Sequence, residues 1–161
     1  MDLKTILPIV ACIVLGILWC SVLFSDRNAG EDRNSLLTWS KDLDGAMLQA
    51  RTQHKLVLVD VYATWCGWCK KLESDTFSDP IVAASLTKNF ILVKMEADDH
   101  GAGQAFANKN GVRGLPTIII LDASGKVRGS ITGYLSPADF MAKVKEIAGD
   151  DPAGSVKPPA H

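Results

Sequence analysis

The sequence predicts an α/β protein in which a central mixed β-sheet is flanked by helices. Three observations support this fold class: short apolar runs rich in β-branched residues, helical segments between those runs, and a turn near the C-terminus that joins two of them as a hairpin. In chain order the predicted elements read α-β-α-α-β-α-β-β-α. The chain has 161 residues, which is enough for one such domain with a substantial core.

The first half of the domain contains two predicted strands and three predicted helices. Leu56–Tyr62 is nearly all apolar, as strands buried on both faces of a sheet are, and residues 90–95 form the second strand. We expect Ser40 to cap the first helix and a second helix to begin near Cys66. The sequence Ser-Asp-Pro at 78–80 is a cap followed by a first-turn proline, so it predicts the start of a third helix.

The second half closes the sheet with a hairpin and a helix. Residues 103–109 predict a short helix that Gly111 can end. Thr117–Leu121 is the next apolar strand, and after an Ala-Ser-Gly-Lys turn residues 127–131 return antiparallel to it. The Ser-Pro pair at position 136 then predicts the start of the last helix.

The composition divides the chain into five parts. After a flank at residues 1–5, residues 6–24 form a run of 19 residues without a charge. A polar spacer at 25–35 leads to the domain at 36–148, and we expect the tail at 149–161 to be disordered because it lacks an apolar face. As a helix the apolar run reaches roughly 28 Å, close to the hydrocarbon thickness of about 30 Å. We therefore predict one N-terminal transmembrane helix.

Other interpretations of the apolar run stay open. A cleaved secretory signal is one alternative, although Ser21 and Ser25 are poorly placed for cleavage. A lipoprotein signal ending at Cys12 is another, although the apolar run continues beyond that residue. A buried core helix is a third. Lys4 lies before the run and Arg27 after it, so the distribution of positive charge does not predict the orientation.

Charge and cysteine content exclude two function classes. The 17 basic and 18 acidic side chains give a net charge of −1 without a basic stripe, which argues against a nucleic-acid partner. Cys12 and Cys20 lie in the apolar run, and Cys66 and Cys69 form a Cys-x-x-Cys pair. This distribution is unlike that of a small secreted protein held together by disulfides.

The Cys-x-x-Cys pair predicts redox chemistry. Because a strand delivers Cys66 to the start of a helix, the helix N-terminus stabilises its thiolate, and we expect Cys66 to be the exposed nucleophile. Cys69, one turn deeper, would close a disulfide with it and resolve mixed disulfides. A zinc half-site is the alternative, but zinc needs four ligands and His54, His100 and His161 are scattered. We expect no metal and no cofactor.

Two carboxylates are candidates for moving protons at this site. Asp60 lies within an apolar strand, where burial should raise its pKa and suit it to accept a proton from the thiol of Cys69. Glu73 follows Cys66 by two helical turns and could share that work. The alternatives are a hydrogen-bonded polar residue at the end of the strand for Asp60 and a solvated helix residue for Glu73.

Residues around the cysteines are candidates for substrate binding. Trp65 and Trp68 flank the cysteines and would form an apolar docking surface if exposed, although core packing of one of them is equally consistent. Gly67 completes the dipeptide between the cysteines. A cis bond at Pro116 would present the backbone of Leu115 to a substrate chain, whereas spacing alone favours an ordinary trans proline.

Several motifs together resemble the thioredoxin superfamily. They are VDVYATWCGWCKK at 59–71 and Gly-Leu-Pro-Thr at 114–117. The resemblance covers residues 36–148 and implies a thioredoxin fold. Within the superfamily, the stretches at 70–73 and 76–80 look like the C-terminal periplasmic domain of the DsbD family of thiol:disulfide interchange proteins.

The resemblance also implies roles for individual residues. In the family the first cysteine attacks and the second resolves, which carries over to Cys66 and Cys69. A strand aspartate and a helix glutamate tune them, which carries over to Asp60 and Glu73. The family's proline is cis and precedes what we expect to be a third parallel strand, which implies a cis bond at Pro116.

The function that these residues imply is a membrane-anchored thiol-disulfide oxidoreductase. We expect a reductase of protein disulfides that cycles the Cys66–Cys69 pair, with a single-pass anchor in the bacterial inner membrane and the domain in the periplasm. Its partners would be protein thiols and disulfides and a membrane or periplasmic electron donor. The alternatives are an oxidase or isomerase on the same fold and a non-enzymatic module that binds clients. The Gly67-Trp68 dipeptide departs from the Gly-Pro of thioredoxin, and such a change affects the redox potential.

Overall fold

A computed structural model describes residues 36–149 of the chain. The predicted flank, membrane segment and spacer at 1–35, and the tail beyond 149, lie outside the described residues. Within 36–149, none of the helices has the length and apolar character that a membrane span requires.

The described residues follow the predicted order of helices and strands. A π-helix continues α2 without a break, so the two together correspond to one predicted helix. In chain order the elements are α1 (Leu43–Gln53), β1 (Leu56–Tyr62), α2 (Gly67–Lys71), the π-helix (Leu72–Phe77), α3 (Pro80–Asn89), β2 (Phe90–Glu96), α4 (Ala102–Lys109), β3 (Thr117–Leu121), β4 (Val127–Thr132) and α5 (Pro137–Ala148).

The four strands form one mixed sheet in the order β2-β1-β3-β4. β2 runs parallel to β1, whereas β3 runs antiparallel to both β1 and β4. The expectation of a third parallel strand after Pro116 is therefore wrong. Thr117 pairs with Val61, so β3 begins beside the end of β1. The short helix α4 keeps the chain at that end of the sheet instead of carrying it back along the strands.

Both faces of the sheet are covered by helices. Side chains alternate along β1, so that Val57, Val59 and Val61 pack in the core with residues of α1 and α4. Leu58 points to the opposite core, which contains residues of the π-helix, α3 and α5. Asp60 therefore belongs to the second face by the same alternation, on the side of the helix that carries the cysteines.

The caps of three helices follow from short polar side chains. Asp79 accepts hydrogen bonds from the backbone N–H groups of Ile81 and Val82, and Pro80 is the first residue of α3, as predicted. Ser136 caps α5, also as predicted. The prediction for α1 is wrong by two residues, because its cap is Asp42.

Ser40 does not cap α1 because its backbone takes part in the sheet. Its N–H donates to the carbonyl oxygen of Leu92 over 2.9 Å, and its carbonyl accepts from the N–H of Lys94, also over 2.9 Å. The segment at residues 36–40, called the edge segment below, thus pairs with the outer edge of β2 through this bridge.

Candidate redox site

The two cysteines form a disulfide at the start of α2. Cys66 is the N-cap of this helix, with extended backbone at φ −74° and ψ 108°. Its Sγ accepts the backbone N–H of Cys69 over 3.1 Å and is bonded to the Sγ of Cys69, with 5.3 Å between the two Cα atoms. The sulfur of Cys66 therefore lies where the free N–H groups of a helix concentrate positive charge.

The expectation that Cys66 is exposed is wrong for this disulfide state. Cys66 is 5% exposed and Cys69 is 9% exposed. The disulfide directs the side chain of Cys66 toward the first turn of α2, and the two cysteines form a small cluster with Ala63 against which Tyr62 and Leu115 pack. The first cysteine is therefore no more accessible than the second, although both keep some exposed surface.

Asp60 is buried, and one of its carboxyl oxygens accepts no hydrogen bond from the described residues. It is 3% exposed, and within residues 36–149 its Oδ1 has no hydrogen-bond partner. Burial raises the pKa of Asp60 from 3.8 to about 7, with Lys94 opposing the rise and Glu73 adding to it. A carboxyl group with such a pKa can take up and release a proton at neutral pH.

Glu73 and Lys94 form an ion pair on the same side of the sheet. The Lys94 ammonium donates to Oε2 of Glu73, and the two side chains are 21% and 37% exposed for Lys94 and Glu73 respectively. The parallel register of β1 and β2 places Lys94 opposite Asp60. Sequence reasoning did not identify Lys94. Its signal was a lysine within the apolar strand FILVKME, in register with the buried aspartate.

The loop before β3 contributes backbone next to the cysteines. The Leu115–Pro116 peptide bond is cis, in agreement with the resemblance and against the interpretation from spacing alone. The carbonyl of Pro116 accepts the N–H of Gly133 over 2.8 Å, and the hydroxyl of Thr117 donates to the carbonyl of Gly114 over 2.7 Å. These bonds hold the loop while Leu115 packs on the cysteine cluster.

Both tryptophans beside the cysteines lie at the surface. Trp65 is 70% exposed and Trp68 is 59% exposed, so neither is a core residue. The indole N–H of Trp65 donates to Asp98 over 2.6 Å, which fixes the ring above the loop after β2. Gly67 lies between the cysteines, and a Cβ there would meet no atom within 4 Å.

Tyr134 is a further aromatic residue that sequence reasoning missed. Its ring stacks on Trp68 with centroids 5.9 Å apart and an interplanar angle of 29°. The Tyr134 hydroxyl donates to Asp75, a hydrogen bond that lowers the pKa of the Asp75 carboxyl and raises the pKa of the phenol. Nζ of Lys71 lies over the Tyr134 ring, 4.8 Å from its centroid. Only the fold brings Tyr134, in the loop before α5, next to Trp68.

The histidines are not grouped with the cysteines. His54 and His100 are both exposed, and both have left-handed backbone, with φ of 52° and 55°. His161 lies outside the described residues. Among residues 36–149 there is no group of three side chains suited to hold a metal ion.

Comparison with known proteins identifies the family of this domain. Residues 43–148 match the family described as the thioredoxin-like domain, which is more than half of the chain. The chain belongs to the thioredoxin-like family. Its Cys-x-x-Cys disulfide at the mouth of α2 and the loop that ends in Pro116 are thus part of a thioredoxin-like domain.

Curated relatives of this thioredoxin-like domain are thiol:disulfide interchange proteins named DsbD. The chain is 37% identical to DsbD of Pseudoalteromonas atlantica over 109 residues, which is 66% of this chain and 18% of the relative. It is 30% identical to DsbD of Pasteurella multocida over 142 residues, 83% of this chain and 25% of the relative. The chain thus spans about a fifth to a quarter of the length of these relatives.

Solved structures share the thioredoxin-like fold. A putative disulphide-isomerase from Bacteroides thetaiotaomicron matches with a TM-score of 0.65 at 29% identity, over 72% of this chain and 96% of the other. The oxidised C-terminal domain of DsbD from Neisseria meningitidis matches with a TM-score of 0.58 at 23% identity, over 68% and 98%. The second match supports the fold alone.

The family, the disulfide and the DsbD relatives agree on the chemical class. A thioredoxin-like domain with a Cys-x-x-Cys disulfide at the start of a helix has the arrangement that thiol-disulfide exchange uses, and the curated relatives are named thiol:disulfide interchange proteins.

Proposed function

We propose that this chain is a membrane-anchored reductase of protein disulfides whose thioredoxin-like domain lies in the periplasm. The observation that carries the proposal is the Cys66–Cys69 disulfide at the N-terminus of α2. The strand that leads to this helix carries the buried carboxyl of Asp60. The anchor rests on the 19 uncharged residues at 6–24. The location rests on the likeness to DsbD.

The proposed cycle transfers two electrons to the substrate. In the reduced domain the Cys66 thiolate attacks one sulfur of a substrate disulfide, which forms a mixed disulfide and releases the other substrate sulfur as a thiolate. The Cys69 thiolate then attacks Sγ of Cys66, which releases the second substrate thiol and leaves the Cys66–Cys69 disulfide. A dithiol donor in the membrane or periplasm would reduce this disulfide again by the same exchange.

In this mechanism the N-terminus of α2 acts on Cys66, and the carboxyl of Asp60 acts on Cys69. The N–H groups at the start of α2, one of which already points at the sulfur of Cys66, stabilise its thiolate. Asp60, with a pKa near 7, would accept the proton of the Cys69 thiol as that sulfur becomes the nucleophile. Glu73 would tune this step through its charge, which raises the pKa of Asp60.

The proposed substrate surface surrounds the small exposed area of the cysteines. A substrate chain would pair with the backbone of Leu115 before the cis bond at Pro116 and pack on the exposed rings of Trp65 and Trp68. Gly67, between the two cysteines, borders open space, because a Cβ built there would meet no atom within 4 Å.

Cysteine variants test the mechanism in the full chain. Cys66→Ser should abolish reduction of insulin disulfides, and Cys69→Ala should accumulate a mixed disulfide visible on a non-reducing gel. Cys12→Ser and Cys20→Ser are matched controls, because they remove a thiol outside the Cys-x-x-Cys pair and should leave the reductase rate unchanged. A Cys66→Ser variant with normal activity would rule the proposal out.

The competing direction is oxidation or isomerisation of disulfides. One similar structure is named a putative disulphide-isomerase, and the same residues could run that chemistry. The reduction potential of the Cys66–Cys69 pair separates the two. A value near that of thioredoxin, about −270 mV, supports a reductase, and a value near that of DsbA, about −120 mV, supports an oxidant.

A non-enzymatic role in binding clients is favoured by the exposed rings of Trp65 and Trp68. In that case a cysteine-free double variant, Cys66→Ser with Cys69→Ser, would bind an unfolded client as tightly as the native chain. For the proposed reductase, capture of the client should depend on Cys66.

A further inference from the structure

The edge segment carries an aromatic ring to the ion pair of the redox site. Ser40 attaches this segment to β2 through hydrogen bonds with Leu92 and Lys94. The preceding residue, Trp39, is half-buried, and its ring lies 5.1 Å from that of Phe77 on the π-helix. Lys94 Nζ lies 5.1 Å from the centroid of the same indole ring.

The Lys94 ammonium contacts one carboxylate and two aromatic rings. Its ammonium pairs with the carboxylate of Glu73 and lies over the rings of Trp39 and Tyr62, the latter at 5.5 Å. An ammonium over an aromatic face is attracted to the partial negative charge of the π-electrons on that face, most strongly for tryptophan. Because the side chain of Lys94 is only 21% exposed, little water competes with these contacts.

The place of this ammonium matters for Asp60. The charge of Lys94 lowers the pKa of Asp60, and the charge of Glu73 raises it. The net electrostatic field at Asp60 therefore depends on where the Lys94 ammonium is held relative to Asp60 and to Glu73. Tyr62 lies on the same strand and also faces Glu96 and Asp99. Within the described residues, Oδ1 of Asp60 accepts no hydrogen bond. No such bond could therefore stabilise the carboxylate in place of the positive charge of Lys94.

We propose that Trp39 is a positioning residue of the redox site, which holds the Lys94 ammonium against Glu73 and thereby sets the electrostatic field at Asp60. The inference rests on the proposed function only because Asp60 is proposed there to accept the proton of the Cys69 thiol. It assigns a role to the edge segment, which lies outside the Cys-x-x-Cys helix and the Pro116 loop.

Substitutions at Trp39 separate this role from simple packing. Trp39→Leu removes the aromatic face but keeps an apolar side chain, and Trp39→Phe keeps a weaker aromatic face. Neither change breaks a hydrogen bond, because the indole N–H of Trp39 has no acceptor among residues 36–149. A change at Asp60 therefore does not come from a lost hydrogen bond of Trp39, and the Lys94→Met background separates an effect through Lys94 from an effect through packing on Phe77.

The measurement is a carbon-13 NMR titration of the Asp60 carboxyl in the oxidised full chain, in detergent micelles. Lys94→Met should raise the pKa of Asp60, because it removes the charge that lowers it. We expect Trp39→Leu to shift the midpoint in the same direction by a smaller amount, and Trp39→Phe to lie between Trp39→Leu and the native chain. In the Lys94→Met background, Trp39→Leu should add no further shift.

Phe140→Leu is the matched control, since Phe140 packs on Phe77 at 5.6 Å in the same aromatic cluster. It should lower the midpoint of thermal unfolding without moving the Asp60 titration. The proposal is overturned if Trp39→Leu leaves that titration unchanged or shifts it equally with and without Lys94. If Trp39→Leu does not fold, the Trp39→Phe comparison in the two backgrounds decides. The titration uses no substrate, so its outcome is independent of whether the chain proves to be a reductase.

Discussion

At the residue scale, the protonation of the buried Asp60 carboxyl is linked to folding stability. Its carboxyl has a pKa of about 7 in the folded chain against 3.8 as the ordinary value, because burial disfavours the charged form. Between these pH values the folded chain binds more protons at Asp60 than the unfolded chain does. Stability contributed at this position therefore falls as pH rises from about 4 to about 7 and stays low above that.

We expect Asp60→Asn to stabilise the oxidised protein at pH 8, where the native chain buries a charge. The difference in pKa corresponds to at most about 4 kcal/mol in the free energy of unfolding, and the gain should vanish near pH 4. Urea unfolding at several pH values measures it. Asp44→Asn, at an exposed aspartate of α1, is the control. A gain of equal size at pH 4 and pH 8 would contradict the prediction.

The same substitution should slow the resolving step. Without a proton acceptor the Cys69 thiol ionises less readily, and loss of a general base commonly costs about 100-fold or more in rate. In single-turnover experiments with quenching, the mixed disulfide of Asp60→Asn should persist longer than that of the native chain. An unchanged lifetime would show that Asp60 takes no part in this proton transfer.

At the element scale, α4 approaches β2 more closely than a side chain allows. Gly103 is buried in the first turn of α4, and a Cβ there would overlap backbone atoms of Glu96. Since backbone cannot move aside as a flexible side chain can, the helix would have to separate from the sheet. This contact holds the loop after β2, which includes Asp98, the partner of Trp65.

We therefore expect Gly103→Ala to lower the free energy of unfolding by about 1–3 kcal/mol. Gly67→Ala is the matched control, because a Cβ there meets no atom within 4 Å and alanine favours the helix. Denaturant unfolding of the two variants should give a loss for the first and no loss, or a small gain, for the second. Equal stability of the two variants would show that α4 adapts without cost.

The elements themselves were largely predictable from local sequence. Apolar runs and Ser/Asp-Pro signals predicted the strands and the starts of α3 and α5, because those signals act within a few residues. The cap of α1 was not predictable in this way. Ser40 and Asp42 are both good caps, and the pairing of Ser40 with β2 decides between them.

At the scale of the whole molecule, the anchor is the prediction with the widest consequence. We expect the full chain to stay with the membrane fraction after an alkaline wash, because residues 6–24 can span the hydrocarbon core. A chain that starts at residue 36 should appear in the soluble fraction. A full chain that washes off, or a mature protein shortened by about 20–25 residues in mass, would exclude an uncleaved anchor.

The sequence by itself determined the chemistry and the fold class. A Cys-x-x-Cys after an apolar strand and an aspartate within that strand are local patterns with few physical explanations, so the Cys66–Cys69 disulfide and the burial of Asp60 were predictable without coordinates. Only the tertiary structure decided what surrounds them. The direction of β3, the burial of Cys66, the Lys94–Glu73 pair and the contacts of Trp39 and Tyr134 depend on which distant segments pack together. Local sequence can mark an unusual residue, such as the lysine within FILVKME, but it does not specify the distant partner.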